Sequence, residues 1–154
     1  MELGDLITPE AVIPALQART KKQVLHDLAE KAALLTGVEA RDIFETLLQR
    51  ERLGSTAVGR GIAIPHGRLP ALTRIVSVFA RLEQAIDFDA VDGEQVDLIF
   101  LLLAPEHAGA DHLKALAKIS RLLREPQTIE RLRASHDRAM LFSALTQPVT
   151  VHAA

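Results

Sequence analysis

The stretch Val96-Asp97-Leu98-Ile99-Phe100-Leu101-Leu102-Leu103-Ala104 decides the expected fold. It contains the longest apolar run in the chain, Leu98–Ala104. A strand that is apolar at nearly every position, rather than at every second one, is typical of a sheet that is covered on both faces. We therefore predict a central strand here, which ends at Pro105 because proline cannot donate to a strand ladder.

Other segments have the composition of the remaining strands. Ile75–Leu82 is rich in β-branched and aromatic residues, and Ile62–Ile64 is a short apolar run. Val12–Leu16 is interpreted as a short strand, although Pro14 and the preceding residues leave a helix as the alternative. Ile86–Phe88 predicts a small edge strand. The sequence thus predicts a sheet of about five strands.

Two helices are predicted before the glycine-rich middle of the chain. Thr20-x-x-Gln23 has the form of a capping box, and Gly37 is suited to ending the helix that follows it. A second helix is predicted over Ala40–Glu51. Its buried stripe is expected to consist of Ile43, Phe44, Leu47 and Leu48.

Three helices are predicted after the central strand. Asp111 is expected to cap the first of them, and the other two are expected over residues 126–134 and 137–145. Thr146–Ala154 is interpreted as an end strand or a frayed end. The inner face of the first helix is expected to comprise Leu113, Leu116, Ala117, Ser120 and Leu123. We therefore predict an α/β fold in which residues 1–154 form a single domain, a mixed sheet of about five strands with helices packed on both faces.

The composition limits the classes of function. The 154 residues carry a formal charge of −2, with no Cys, Trp or Tyr and only five Phe. The absence of a basic stripe and of stacking aromatics argues against nucleic-acid binding, and the absence of Cys excludes disulfides and thiolate chemistry. Met1–Asp5 is acidic and unlike a signal peptide, and the longest apolar run is too short for a membrane span. We expect a cytoplasmic protein without membrane insertion.

The candidate site lies in Leu53-Gly-Ser-Thr-Ala-Val-Gly-Arg-Gly-Ile-Ala-Ile-Pro-His-Gly67, which holds four of the eight glycines. Glycines allow a partner to approach the main chain, and their N–H groups can surround an anion. Ser55 and Thr56 add hydroxyl groups next to Gly54, and His66 follows the apolar run directly. This combination indicates phosphate chemistry, but no Gly-Lys-Ser/Thr ending is present, which argues against a nucleotide kinase.

His66 is the candidate nucleophile. A neutral imidazole can attack phosphorus through one ring nitrogen while a hydrogen bond to the other fixes the tautomer. Arg50 and Arg52 end the preceding helix and could offset the charge of a transferred phosphoryl group. The alternatives are a hydrogen-bonded structural histidine, ordinary cations at a helix C-terminus, and turn-forming hydroxyls at Ser55 and Thr56.

His112 is the second candidate histidine. At a helix start the dipole disfavours imidazolium and favours a neutral or anion-binding role, while an ordinary surface residue is the alternative. His66, His107, Asp111 and His112 have metal-ligand chemistry, but their spacing matches no zinc motif, so we predict neither a metal nor a cofactor. The remaining histidines are expected to be solvated: His26, His136 and His152.

The residues also match a known signature. Arg50-Glu-Arg-Leu-Gly-Ser-Thr56, followed by Val58-Gly-x-x-Ile-Ala-Ile-Pro-His-Gly67, closely resembles the active-site motif of enzyme IIA proteins of the fructose/mannitol type in the phosphoenolpyruvate-dependent phosphotransferase system. The stand-alone chain and Asp111-His-Leu113 are most similar to the nitrogen-regulatory branch of this family. The likeness extends over almost the whole chain.

The resemblance implies a role for each matched residue. His66 would accept a phosphoryl group on Nε2 from the phosphohistidine of an HPr-like carrier. Arg50 matches the active-site arginine, and His112 matches the second histidine that positions the phosphoryl group. The polar positions of the motif, Gly54, Ser55 and Thr56, would contact phosphate.

The resemblance also implies partners. In nitrogen-type relatives the phosphorylation state governs regulatory targets, including potassium transporters and sensor kinases. The chain would then be a phosphotransferase-like component with a phosphohistidine intermediate. A sugar-specific IIA that passes the group to a IIB domain is one alternative, and a non-catalytic protein-binding module is another.

Overall fold

The apolar stretch at Val96 forms the centre of the sheet. The computed structural model describes residues 2–147, in which this strand, β6, spans Val96–Pro105. Every residue from Leu98 to Ala104 is fully buried, so both faces of the strand are covered. The prediction of a buried central strand is confirmed, and Pro105 is its last residue.

In the described part of the chain the sheet has six strands rather than about five, in the order β1-β5-β6-β3-β2, with β4 also paired to β6. β5 is antiparallel to β6, while β3 and β4 are parallel to β6 on its other side. β1 lies parallel to β5, and β2 lies antiparallel to β3. The other strands are β1 Val12–Leu16, β2 Ala57–Gly59, β3 Ile62–Ala63, β4 His66–Leu69 and β5 Val76–Ile86.

The strands differ from the sequence expectation at three places. The glycine-rich stretch is not only a loop, because Ala57–Gly59 pairs with Ile62–Ala63 as a short hairpin. His66 follows the short strand β3, as expected, and it also begins a strand of its own, since the chain pairs with β6 again after an interruption at Ile64 and Pro65. The separate edge strand predicted at Ile86–Phe88 is wrong, because β5 continues to Ile86 past an irregularity in its register.

Between residues 2 and 147 five α-helices pack on this sheet, and the predicted α/β mixed sheet with helices on both faces is confirmed. In α1 the Thr20 hydroxyl accepts from the Gln23 N–H, and Gly37 ends the helix with a φ of 77°. The Gln23 side chain accepts from Arg19 rather than from Thr20, so the predicted capping box is displaced by one residue. The helices are α1 Lys21–Thr36, α2 Ala40–Arg52, α3 Ala110–Leu122, α4 Pro126–Ala134 and α5 Arg138–Thr146.

Helix α3 differs from the prediction in a way that matters for the site. Gly109 rather than Asp111 is its N-cap, because the helix begins at Ala110. Leu113, expected on the inner face, is 65% exposed. The inner face comprises His112, Ala115, Ile119 and Leu122. His112 therefore points inward. The sequence placed this residue at the start of the helix but did not assign it to the inner face.

The end of the chain is described as far as residue 147. α5 includes Thr146, so this residue is helical, and Gln147 is the C-cap of the helix; the rest of the predicted end strand or frayed end, residues 148–154, lies outside the described residues. Between residues 2 and 147, no helix is long and apolar enough to cross a lipid bilayer.

Candidate active site

His66 is the first residue of β4 and lies opposite Leu102 of the central strand. Its Nδ1 is 2.9 Å from the carbonyl oxygen of Ile64. Because a carbonyl oxygen can only accept, Nδ1 must hold the ring proton, and Nε2 is left with a free lone pair. The side chain is partly exposed. In its neutral form His66 therefore presents an Nε2 atom with a free lone pair.

His112 is brought next to His66 from 46 residues away in the sequence. The two ring centroids are 5.9 Å apart, and the ring planes are inclined by 72°. His112 is 95% buried because it lies on the inner face of the first turn of α3. Strand β4 and helix α3 thus place the two predicted histidines in one site.

Arg68 also contacts His112, and the sequence reasoning missed it. Its Nε is 2.9 Å from Nδ1 of His112. Since a guanidinium can only donate, Nδ1 of His112 accepts, and the ring proton lies on Nε2. Arg68 and His66 point to the same face of the sheet because they are two residues apart in one strand, and side chains of a strand alternate between its faces. This spacing is the signal that could have identified Arg68.

The second ring nitrogen of His112, Nε2, is buried and lacks a hydrogen-bond partner among residues 2–147. The pKa of His112 is lowered from its ordinary value, first by burial and then by the positive charges of Arg68 and His66. The ring is therefore held neutral, with an unsatisfied N–H donor beside the candidate nucleophile.

Arg50 lies in the last turn of α2, where the sequence predicted it. Its Nη1 donates to the carbonyl oxygen of Gly54 at 2.9 Å. Gly54 has a φ of 145°, a conformation that side-chain-bearing residues rarely adopt. The contact folds the start of the glycine-rich stretch back onto the helix end. Arg52 is exposed and makes no hydrogen bond or ion pair within residues 2–147.

Ser55 connects this stretch to the end of β5. Its hydroxyl donates to the carbonyl oxygen of Phe88 at 2.6 Å and accepts from the N–H of Ala57 at 3.1 Å. The hydroxyl of Ser55 is thus used in holding the stretch in place.

Thr56 is buried and bound to the side chain of Glu51. Its N–H donates to the Glu51 carboxylate at 3.2 Å, and its hydroxyl donates to the same group. Lys21 of α1 lies 2.8 Å from Glu51 and 3.3 Å from Asp89. The phosphate-binding roles predicted for Ser55, Thr56 and Gly54 stay predictions, and the contacts described here are internal to the protein.

Gly67 allows α2 to approach β4 closely. A Cβ atom at this position would lie 2.7 Å from Cγ2 of Thr46, which is closer than side chains tolerate. Thr46 is fixed in turn, because its hydroxyl donates to the carbonyl oxygen of Asp42 at 2.9 Å. The glycine that follows His66 therefore sets the distance between the strand of His66 and the helix of Arg50.

The other histidines lie outside this pair. His107 and His136 are exposed, and His26 pairs with Asp27 and Glu30 on the surface of α1. His152 lies outside the described residues. Over residues 2–147 no three or more His, Asp or Glu side chains are grouped so that they could hold a metal ion.

Similarity to known proteins identifies the family of this chain. Residues 5–147 match the family model of the phosphoenolpyruvate-dependent sugar phosphotransferase system, EIIA 2. The chain belongs to this EIIA family. A nitrogen regulatory protein from Bradyrhizobium diazoefficiens is 59% identical to this EIIA chain over 148 residues, which cover 96% of the chain and 97% of the relative.

Two further relatives extend the comparison. A phosphotransferase-system fructose-specific EIIA component from Haloferax volcanii is 33% identical to this EIIA protein and covers 97% of it, with 99% of the relative matched. The crystal structure of nitrogen regulatory protein IIA-Ntr from Neisseria meningitidis has a TM-score of 0.89 at 31% identity, covering 94% of this chain and 99% of the other. The resemblance to the nitrogen-regulatory branch of the EIIA proteins is confirmed.

Proposed function

We propose that this EIIA protein is a phosphocarrier whose His66 accepts a phosphoryl group on Nε2. The observation that supports this most directly is the hydrogen bond between Nδ1 of His66 and the Ile64 carbonyl, because it leaves Nε2 unprotonated. Family membership supports the phosphoryl chemistry. We also propose that residues 1–154 act as one domain, of which the family model matches residues 5–147.

The donor is proposed to be the phosphohistidine of an HPr-like protein. The Nε2 lone pair of His66 attacks phosphorus, and the donor's P–N bond breaks with its electron pair returning to the donor imidazole. No proton has to leave Nε2 of His66. The Nδ1–H stays bonded to the Ile64 carbonyl, which stabilises the positive charge that develops on the ring. Three apolar side chains that are exposed and lie within the signature or next to His112 in the sequence would contact the donor protein: Leu53, Val58 and Leu113.

The experiment is labelling by a phosphorylated HPr-type protein that carries radioactive phosphate. We expect an acid-labile, alkali-stable adduct in the wild type and none in His66→Ala. His136→Ala is the matched control, because His136 is exposed and away from the described contacts of the site. Full labelling of His66→Ala would refute the assignment of His66, and an unlabelled wild type would favour a non-catalytic binding module.

Arg50 and His112 are proposed to support the transfer. A hydrogen bond to a charged group contributes about 1.5–3 kcal/mol, and the phosphoryl group is anionic, so Arg50→Ala and His112→Ala are each expected to slow transfer by about 10- to 100-fold. Circular dichroism should show folded protein in both variants. Transfer at the wild-type rate in both would leave His66 without its proposed support.

We propose that the phosphorylation state of His66 regulates partner proteins, potassium transporters or sensor kinases being the candidates. The 59% identity to a nitrogen regulatory protein favours this role. Binding of a candidate target should differ between the phosphorylated protein and His66→Ala, and equal affinity for both would contradict regulation by phosphorylation.

A sugar-specific role is the second candidate function, favoured by the 33% identity to a fructose-specific EIIA component. A purified IIB domain of the fructose type should then remove the label from His66. Retention of the label in the presence of candidate IIB domains would favour the regulatory role.

A further inference from the structure

Arg68 lies one residue beyond the signature that ends at Gly67, and it makes the only described hydrogen bond to the ring of His112. The guanidinium of Arg68 is exposed, whereas His112 is buried. Within residues 2–147, Arg68 makes no other side-chain hydrogen bond and no ion pair. A surface arginine whose one described contact is a buried imidazole nitrogen is suited to orienting that imidazole.

The direction of this hydrogen bond determines the state of His112. A neutral imidazole can carry its proton on either nitrogen, and the hydrogen bond at one nitrogen decides which. Arginine stays protonated at all ordinary pH values and can only donate. Nδ1 of His112 must therefore accept, which leaves the proton on Nε2, the buried atom that has no partner within the described residues.

We propose that Arg68 is a positioning residue for the phosphoryl transfer, which holds His112 in the orientation and tautomer whose Nε2–H can donate to a phosphoryl oxygen on His66. This inference rests on the proposed function of His66. The 5.9 Å between the ring centroids places the ring that carries the unsatisfied donor next to His66. A buried donor without an acceptor is unfavourable, and an incoming phosphoryl oxygen would relieve that cost.

The electrostatics agree with this role. Burial lowers the pKa of His112 and the Arg68 and His66 charges lower it further, so the ring stays neutral while Arg68 donates to it. If His112 were protonated, both nitrogens would be donors and the contact with Arg68 would become repulsive.

Arg68→Met tests the proposal, with Arg74→Met as the matched control. Arg74 is also an exposed arginine, and it makes no hydrogen bond or ion pair within the described residues. ¹⁵N NMR of the histidine rings should show His112 with an unprotonated Nδ1 in the wild type and the control. In Arg68→Met we expect a mixture of tautomers and a titration of His112 at higher pH, because a donor and a positive charge have been removed.

The transfer rate is the second measurement. At a saturating concentration of phosphorylated HPr-type donor, Arg68→Met is expected to accept the phosphoryl group about tenfold more slowly than Arg74→Met, with the half-saturating donor concentration unchanged. Arg68→Lys keeps the charge but lacks the planar Nε–H, so it should remain slow. Full recovery by Arg68→Lys, or an effect on half-saturation alone, would overturn the positioning role in favour of a charge or docking role.

The two proposals fail in different ways. If the wild type accepts no phosphoryl group, the proposed function fails, while the NMR comparison still decides whether Arg68 holds His112. If the wild type is labelled and the His112 signals of Arg68→Met equal those of Arg74→Met, only the inference on Arg68 is wrong.

Discussion

Gly67→Ala tests whether the close approach of α2 to β4 is required. The added methyl group would lie 2.7 Å from Cγ2 of Thr46, whereas carbon atoms prefer a separation of about 3.5–4.0 Å. The helix or the Thr46 side chain must therefore move by roughly 1 Å. Thr46 is held by its bond to the Asp42 carbonyl, so the helix is expected to shift. Overpacking of this kind costs about 1–3 kcal/mol of unfolding free energy.

A double-mutant cycle in urea unfolding separates this contact from other effects. Thr46→Ser removes the clashing Cγ2 but keeps the hydroxyl that bonds to Asp42. We expect Gly67→Ala to be destabilised by about 1–3 kcal/mol, and Gly67→Ala with Thr46→Ser to recover most of that loss. The single variant should also accept the phosphoryl group more slowly, because α2 carries Arg50. Wild-type stability of Gly67→Ala, or no coupling between the two positions, would refute the reasoning.

Three further predictions concern single groups. As the pH falls from the ordinary histidine pKa of 6.5 towards the lowered pKa of His112, the wild type should lose stability, because in that window only the unfolded chain protonates the ring. In urea unfolding at several pH values, the unfolding free energy of His112→Gln should depend less steeply on pH than that of the wild type. An equal pH dependence in the two proteins would contradict this prediction. Ser55→Ala should lower the unfolding free energy by about 1 kcal/mol in thermal denaturation, since the bond to the Phe88 carbonyl is lost. Gly61→Ala should lower the unfolding free energy more than Gly93→Ala. Both positions have a positive φ, but of the two only Gly61 has other atoms close to the added Cβ, the nearest at 2.6 Å. Equal losses of unfolding free energy in urea would contradict this prediction.

Most elements were predictable because their signals are local. The Val96–Ala104 run, the Thr20 cap and the Gly37 stop each depend on a few adjacent residues, and the structure has them where the sequence predicts them. The hairpin at Ala57–Gly59 was not predictable in the same way. Its three residues become a strand only by pairing with β3, and that pairing is a tertiary interaction.

The inner face of α3 was mispredicted for a similar reason. Leu113 is apolar and fits a helical stripe, but α3 buries the face that carries His112, Ala115 and Ile119 instead. A buried histidine is tolerated there because Arg68 satisfies one of its nitrogens. That contact joins residues 44 positions apart, so the helical periodicity holds no information about it.

For the site, the sequence predicted which residues to consider but not what each one contacts. His66 and His112 lie together, and the roles proposed for them await the labelling experiment. Ser55 and Thr56 were expected to contact phosphate, and the structure shows their hydroxyls bound to the Phe88 carbonyl and to Glu51. Residue type alone does not distinguish a hydroxyl that binds a ligand from one that holds a loop in place.

The shortness of β2 explains why the Ile64 carbonyl is available to the ring of His66. The carbonyls of Gly61 and Pro65 accept from N–H groups of β6, whereas the N–H of Ile64 donates to Thr56 on the opposite side. Within a strand the N–H and C=O of one residue point to the same side, so the Ile64 carbonyl also faces the β2 side. The paired register of β2 with β3 reaches Ala57 opposite Ala63 and does not include Ile64. The Ile64 carbonyl is therefore left for the Nδ1–H of His66, and the imidazole occupies a hydrogen-bonding position that a longer edge strand would have taken.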